Sequence, residues 1–176
     1  PWVLLLLLPL FFSLSASIIK GQDIGTEHAQ NHAFQIGPTY NYLYSTHSTK
    51  FRGWGINLGA VVSSHTQLGL GVERIYCPYH YDNGLNLSNL HLTPIYGMVR
   101  YDFWGSRILQ PYAKAAVGIT LMSYKEQKAG TSQLAVDRKV TGLYTYGALG
   151  LRTSIAKRFE LFLEMGMVGD KMSFRA

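Results

Sequence analysis

An all-β fold, an antiparallel up-and-down barrel of eight strands, is what the sequence predicts, and three observations predict it. Apolar residues recur with a period of two through most of the chain after residue 33. The face opposite them is rich in glycine and poor in charge. Polar connections between the apolar stretches alternate between longer and tighter ones. Period two is the signature of a strand, because successive side chains leave a pleated backbone on opposite sides.

The clearest case is the stretch GWGINLGAVVSSHTQLGLGVERIY at residues 53–76. Trp54, Ile56, Leu58, Ala60 and Val62 share one face, and Gly53, Gly55, Asn57 and Gly59 the other. After the polar turn Ser63-Ser64-His65-Thr66 the alternation resumes, with Leu68, Leu70 and Val72 against Gln67, Gly69, Gly71 and Glu73. A short polar connection between two such runs is a hairpin. A soluble sheet would turn Lys, Glu, Asp and Arg to water on its second face. Small, uncharged residues there instead suit the inside of a narrow closed barrel, so the apolar face points outward, an arrangement that belongs in a lipid bilayer.

The remaining elements follow in order. Residues 2–16, WVLLLLLPLFFSLSA, form an apolar run shorter than the roughly 20 residues of a spanning helix. It reads as an export signal, with cleavage placed after Gly21, so that residues 1–21 are a signal peptide whose basic start is missing. Residues 22–32 are polar and aperiodic, a periplasmic linker, and residues 33–176 are the barrel domain. The first strand carries Phe34, Ile36, Pro38, Tyr40, Tyr42 and Tyr44 on one face, and interfacial tyrosine suits a headgroup boundary. After the 53–76 hairpin, residues 77–89 read as a longer loop with Pro and Asp-Asn-Gly turn signals. A fourth strand at 90–101 sets Leu92, Pro94, Tyr96 and Met98 against His91, Thr93, Gly97 and Tyr101.

Residues 102–109 connect to a fifth strand at 110–124, with Ala113, Ala115, Val117, Ile119 and Leu121 outward and Tyr112, Lys114, Ala116, Gly118 and Thr120 inward. Residues 125–139 are the longest polar loop. The sixth strand, 140–154, places Leu143, Gly147, Leu149 and Leu151 outward against Gly142, Tyr144, Tyr146, Gly150 and Arg152. A tight turn at Ala156-Lys157-Arg158 leads to the seventh, with Phe159, Leu161, Leu163, Met165 and Met167 opposite Glu160, Glu164 and Gly166. Gly169-Asp170-Lys171 reads as a turn, and Met172 starts an eighth strand that is cut short. Longer loops after strands one, three and five orient the barrel with its N-terminus periplasmic and the loops around His47, His80 and Gly130 outside.

Composition agrees with this assignment. Charged residues make up 15% of the 176-residue chain, against about 25% in typical soluble domains. The formal net charge is +6, but no basic run or basic helix accompanies it, so the charge points to no nucleic acid. The single cysteine, Cys77, excludes an intrachain disulfide.

The hairpin at 53–76, PIYGMVRYDFW, QPYAKAAVGIT and RFELFLEMGM together resemble the small eight-stranded outer-membrane β-barrels of Gram-negative bacteria, the OmpA/OmpX-like barrel domain. The resemblance spans nearly everything from Ala33 onward and carries architecture further than activity. It implies a cell outer-membrane location, contact with outer-membrane lipid and lipopolysaccharide, handling by the barrel assembly machinery, and a monomer.

The candidate functional residues are charges facing the barrel interior: Glu73, Lys114, Arg152, Glu160 and Glu164. Paired in a narrow lumen they form a salt-bridge network, since unpaired charge there is costly. Arg52 and Arg74, near strand ends, are candidates for contact with lipopolysaccharide phosphates, while Arg100 reads as a residue snorkelling to headgroups. No catalytic set, cofactor motif or metal site is expected. Glu160 and Glu164 share a wall with no nucleophile; His91-Thr93 and Ser64-His65 lack the serine that a lipid hydrolase needs in strand context; Cys77, His80 and Asp82 offer no fourth metal ligand. The expected role is therefore a structural or surface-interaction protein and not an enzyme. The alternatives are a narrow porin-like channel past Gly55, Gly59, Gly71 and Gly118, or a soluble lipocalin-like barrel with its faces inverted.

Overall fold

The computed structural model describes residues 11–20, 34–44, 49–82, 85–104, 109–128, 135–156 and 159–171, all of them strand or the short turns between strands. β1 is Phe11–Lys20, β2 Phe34–Tyr44, β3 Lys50–Val61, β4 Thr66–Asp82, β5 Leu85–Asp102, β6 Leu109–Lys128, β7 Val136–Ala156 and β8 Phe159–Lys171. Strands β2 to β8 pair consecutively and antiparallel in one up-and-down sheet that curls about a concave face. They correspond to the seven strands read from the sequence. β1 falls in the expected export signal and runs antiparallel beside β2, with Phe11 opposite Leu43 and Lys20 opposite Phe34.

The period-two pattern sets the two faces. On β3, Phe51, Gly53, Gly55 and Gly59 are buried, whereas Arg52, Trp54, Ile56 and Leu58 are exposed. The same alternation places Gln35, Thr39 and Asn41 of β2, Gln67 and Glu73 of β4, and Tyr112, Lys114, Ala116 and Thr120 of β6 on the concave face. Below the upper end, leucine, valine and isoleucine predominate on the convex face, where Leu70 and Leu149 are each 66% exposed. A broad apolar band outside, over an interior that carries the buried charges, is the inverse of a soluble sandwich.

Three local assignments change. Residues 77–89 are mostly ladder and not loop: β4 continues to Asp82, β5 begins at Leu85, and pairs such as Cys77 with Leu90 and His80 with Leu87 hold the extension. The register shifts between Ser88 and His91, where Asn89 adopts a φ of 52°. Such a bulge offsets the alternation by one residue, so Leu87 and Leu90, three apart, are both buried. They pack with Phe51, Ile75, Cys77, Leu92, Met122 and Tyr124 in an apolar cluster at the upper end, the end that carries Tyr44 and Lys50. Likewise, residues 123–126 pair with 139–136 across β6 and β7, Lys125 opposite Asp137, and residues 127–128 pair with β5, which shortens the expected loop. The turn expected at residues 169–171 is instead the end of β8, with Gly169 opposite Thr145 and Lys171 opposite Leu143. In each case polar or turn-prone residues stay extended because the neighbouring strand supplies their backbone partners. The eighth strand expected from Met172, and the linker at 22–32, lie outside the described residues.

Glycine on the concave face is needed where a neighbour's side chain lies across it. A methyl group added at Gly118 would meet the Ile95 carbonyl oxygen and the Tyr96 backbone, whereas one at Gly147, on the convex face, would meet nothing within 4 Å. Gly118→Val is therefore expected to destabilise the fold by about 1–3 kcal/mol, and Gly147→Ala to lie within about 0.5 kcal/mol of the parent. Urea titration of the refolded protein in detergent micelles, followed by tryptophan fluorescence, measures both.

Candidate functional site

The concave face holds three cations and four carboxylates, each at most 13% exposed at its side chain where it is ion-paired: Arg100, Lys114 and Arg152 against Glu73, Asp102, Glu160 and Glu164. Their positions on β4 to β8 follow from the alternation that puts the apolar residues outside. The five charges expected in the interior are all on this face.

Glu164 of β8 is the most heavily bonded. Lys114 Nζ donates to its Oε1 at 3.0 Å, the Tyr146 hydroxyl to the same oxygen at 3.0 Å, and the Tyr112 hydroxyl to Oε2 at 2.9 Å. Lys114 also lies 5.3 Å from the Tyr146 ring centroid. Three donors around one carboxylate replace the water it has lost, which is the condition for burying a charge without a large penalty.

A second chain of contacts runs toward the lower end, the end of the Ser63 to Thr66 turn. Arg152 Nη1 is 3.3 Å from Glu160 Oε1, and its Nη2 is 3.2 Å from Asp102 Oδ2 and also meets the Gln110 amide oxygen. Arg100 Nε lies 3.3 Å from Asp102 Oδ1, and its guanidinium sits 4.8 Å from the Phe162 centroid. Gln35 Nε2 donates to Glu160 Oε2 at 3.1 Å. That bond joins β2 to β8, the first and last strands of the seven, so the sheet curls far enough for side chains at its two ends to touch.

Above the ion pairs, the Tyr96 hydroxyl donates to Glu73 Oε1 at 2.5 Å and lies 2.9 Å from the Asn57 amide oxygen. Tyr96 stacks on Tyr144 with centroids 5.1 Å apart. Among the described residues, Glu73 has no cationic partner within ion-pair distance, unlike the other four expected charges.

Sequence reasoning missed two members. Arg100, read as snorkelling to headgroups, is 7% exposed and faces inward, and Asp102, placed in a connection, is 5% exposed. The available signal was alternation itself: Arg100 and Asp102 continue the face of Leu92, Pro94 and Tyr96, which is the buried one. Arg52 and Arg74 are exposed on the convex face, with Arg52 opposite Tyr76 and Arg74 opposite Trp54.

The remaining candidates have structural partners. His80, expected in an external loop, is a buried strand residue whose Nδ1 is 3.0 Å from Thr49 Oγ1. Cys77 Sγ contacts the Tyr79 carbonyl oxygen at 3.1 Å, and among the described residues no group of three metal-ligating side chains is present. His65 Nδ1 is 2.9 Å from the Asp102 carbonyl oxygen, and His91 lies against Tyr76.

The four glycines that would open a path do not leave space. Gly55 is covered by Glu73, Gly59 by Gln67, Gly71 by Asn57 and Tyr96, and Gly118 by Tyr96. A cavity of about 40 Å³ remains, lined among others by Gln35, Thr39, Gln67, Arg100, Lys114 and Glu164. That volume suits a few water molecules.

Because Lys114 and Glu164 are both buried, removing one partner leaves the other uncompensated. Lys114→Met is expected to cost about 3–5 kcal/mol, and Lys114→Met/Glu164→Gln to recover more than half of it. Urea unfolding of the two variants and the parent is the measurement.

No protein-family model matches the chain, and no curated protein matches it.

Proposed function

We propose that the chain is an outer-membrane β-barrel protein of a Gram-negative bacterium, with a structural or surface-interaction role and no enzymatic activity. The observation that carries this reading is the inversion of the two faces. Ile36, Ile56, Leu58, Leu70, Val72, Ile95, Val117, Ile119, Leu143, Leu149 and Leu163 are all at least 44% exposed, while seven ionisable side chains are buried opposite them. In water such a surface would aggregate; against acyl chains it is the stable arrangement.

The height of the apolar band supports the same conclusion. From His91 to Tyr101 along β5 there are about ten residue steps, which at about 3.3 Å each and a tilt of about 40° span ~25 Å, the thickness such barrels present to lipid. Tyr40, Trp54 and Tyr76 border the band above, and Tyr101, Phe103 and Trp104 border it below. Aromatic side chains at both boundaries suit headgroup levels.

Closure into eight strands is supported by a slot between β2 and β8. β1 is placed there, with Ser13 opposite both Asn41 and Glu164, antiparallel to each. A strand following β8 through a turn would enter the same slot in the same direction, so the expected strand from Met172 and β1 are alternative occupants. Closing the sheet removes its free edges, which lipid does not tolerate.

A filled lumen favours the structural reading over the channel. The interior carries side chains across each expected opening, and the cavity beside Lys114 and Glu164 holds about 40 Å³. The protein from outer-membrane fractions is expected to migrate as a compact band on SDS gels and to shift on boiling. In planar bilayers it is expected to give no discrete conductance steps. A soluble periplasmic protein with no shift would refute the membrane assignment, and reproducible steps would restore the channel.

A further inference from the structure

The convex face is electrostatically lopsided. Among the described residues, Lys50, Arg52, Arg74, Lys125 and Lys139 are exposed on it near the upper end, against the acid Asp137. Arg138, on the opposite face beside Tyr124, is engaged with Glu126 at 3.3 Å. The lower end, around Val62 to Leu68 and Tyr101 to Trp104, presents no exposed Lys, Arg, Asp or Glu among the described residues.

The strand register arranges part of this charge in a line. Tyr42 is opposite Arg52, Arg52 opposite Tyr76, Tyr76 opposite His91, His91 opposite Ser123, and Ser123 opposite Lys139. These six residues lie in one row across β2 to β7, at the upper border of the apolar band. With strands about 4.8 Å apart, Arg52 and Lys139 stand ~19 Å from each other along it. Between them are hydrogen-bonding groups only: the Tyr76 hydroxyl, the His91 imidazole and the Ser123 hydroxyl. His91 rests against Tyr76 with ring centroids 4.9 Å apart, and its buried Nδ1 has no hydrogen-bond partner among the described residues.

We propose that this row is a binding site for the phosphates of a glycolipid in the outer leaflet, seated with its acyl chains on Val72, Ile95, Leu121 and Leu143 below. The inference rests on the membrane reading above and gives the contact expected of Arg52 a defined site, shared with Tyr76, His91, Ser123 and Lys139. Charge complementarity carries it: cations at Arg52 and Lys139, donors between them, and beneath the row, past Arg74, Thr93 and Thr141, an apolar wall are what an amphiphile with more than one phosphate requires. A soluble anion would gain nothing from the wall, and an uncharged lipid nothing from the row. The site also orients the protein, because it places the upper end, where β4 to β7 extend beyond their neighbours, at the outer surface.

The test uses the refolded full chain in detergent micelles and native mass spectrometry with three probes: bis-phosphorylated lipid A, the same lipid dephosphorylated, and phosphatidylglycerol. Lipid A is expected to be retained in preference to the other two. Arg52→Gln/Lys139→Gln is expected to weaken its retention about thirty-fold, the effect of two cations at about 1 kcal/mol each. Lys50→Gln/Arg138→Gln, which removes the same formal charge off the row, is expected to weaken it less than three-fold. Equal loss in both variants, or equal retention of dephosphorylated lipid A, would overturn the site, and equal retention of phosphatidylglycerol would overturn the glycolipid as its occupant. A boiling-dependent gel shift in each sample separates these outcomes from failure of the barrel itself: parent protein that does not shift refutes the membrane reading and the site with it.

Discussion

The buried carboxylate of Glu164 is the interaction on which the arrangement of the interior depends. At 4% exposure it retains almost no water, and it is stable as a charged group only because Lys114, Tyr112 and Tyr146 surround it. These donors come from β6 and β7, so the relative position of the last three strands is tied to one side chain. Room for the donors comes from small residues: the Tyr112 ring lies across Gly150, and Gly166 faces the Gly147 carbonyl and Ala148. A larger residue at either glycine would displace the strand or the tyrosine, and the carboxylate would lose a partner. Glycine and charge on the concave face are thus two halves of one device.

Two kinds of filling divide the interior by height. At the upper end, where β4 to β7 project past β3 and β8, the filling is apolar, from Phe51 through Leu87 to Tyr124. Toward the lower end it is ionic, with Arg100, Asp102, Arg152 and Glu160 in contiguous contact. Long-range contacts across the curl, such as Gln35 to Glu160, stabilise curvature in a way that neighbouring-strand hydrogen bonds alone do not. The polar layer lies at the level of the apolar band outside, and its groups are buried from solvent. Their mutual satisfaction is accordingly a requirement of the fold as much as a candidate site.

The legible part of the interior was the part set by local alternation. Glu73, Lys114, Arg152, Glu160 and Glu164 sit within long uninterrupted period-two runs, and their direction followed from their apolar neighbours. Arg100 and Asp102 did not, because they lie next to the polar segment at 102–109, where a strand end and a connection look alike. The segments at 77–89 and 125–139 illustrate the same limit. Pro78 and the charged run from Lys125 are local turn or solvent signals, but the ladder extends past them wherever a partner strand is in register. The channel alternative needs glycine to leave open space, whereas beside Gly59 and Gly71 the space is occupied from the next strand.

By itself the sequence determined that the chain is a meander of antiparallel strands, which residues share a face, and that the faces are apolar and polar in the sense that suits a bilayer. Those properties depend on the two-residue repeat of the backbone, which any single strand carries within it. The tertiary structure decided which charges meet. Asp102 of β5 joins Arg152 of β7, Glu160 of β8 joins Gln35 of β2, and Arg52, Tyr76, His91 and Lys139 fall into one row. Such meetings depend on register and on how tightly the sheet curls, and both are set by the sum of contacts between strands far apart in the chain.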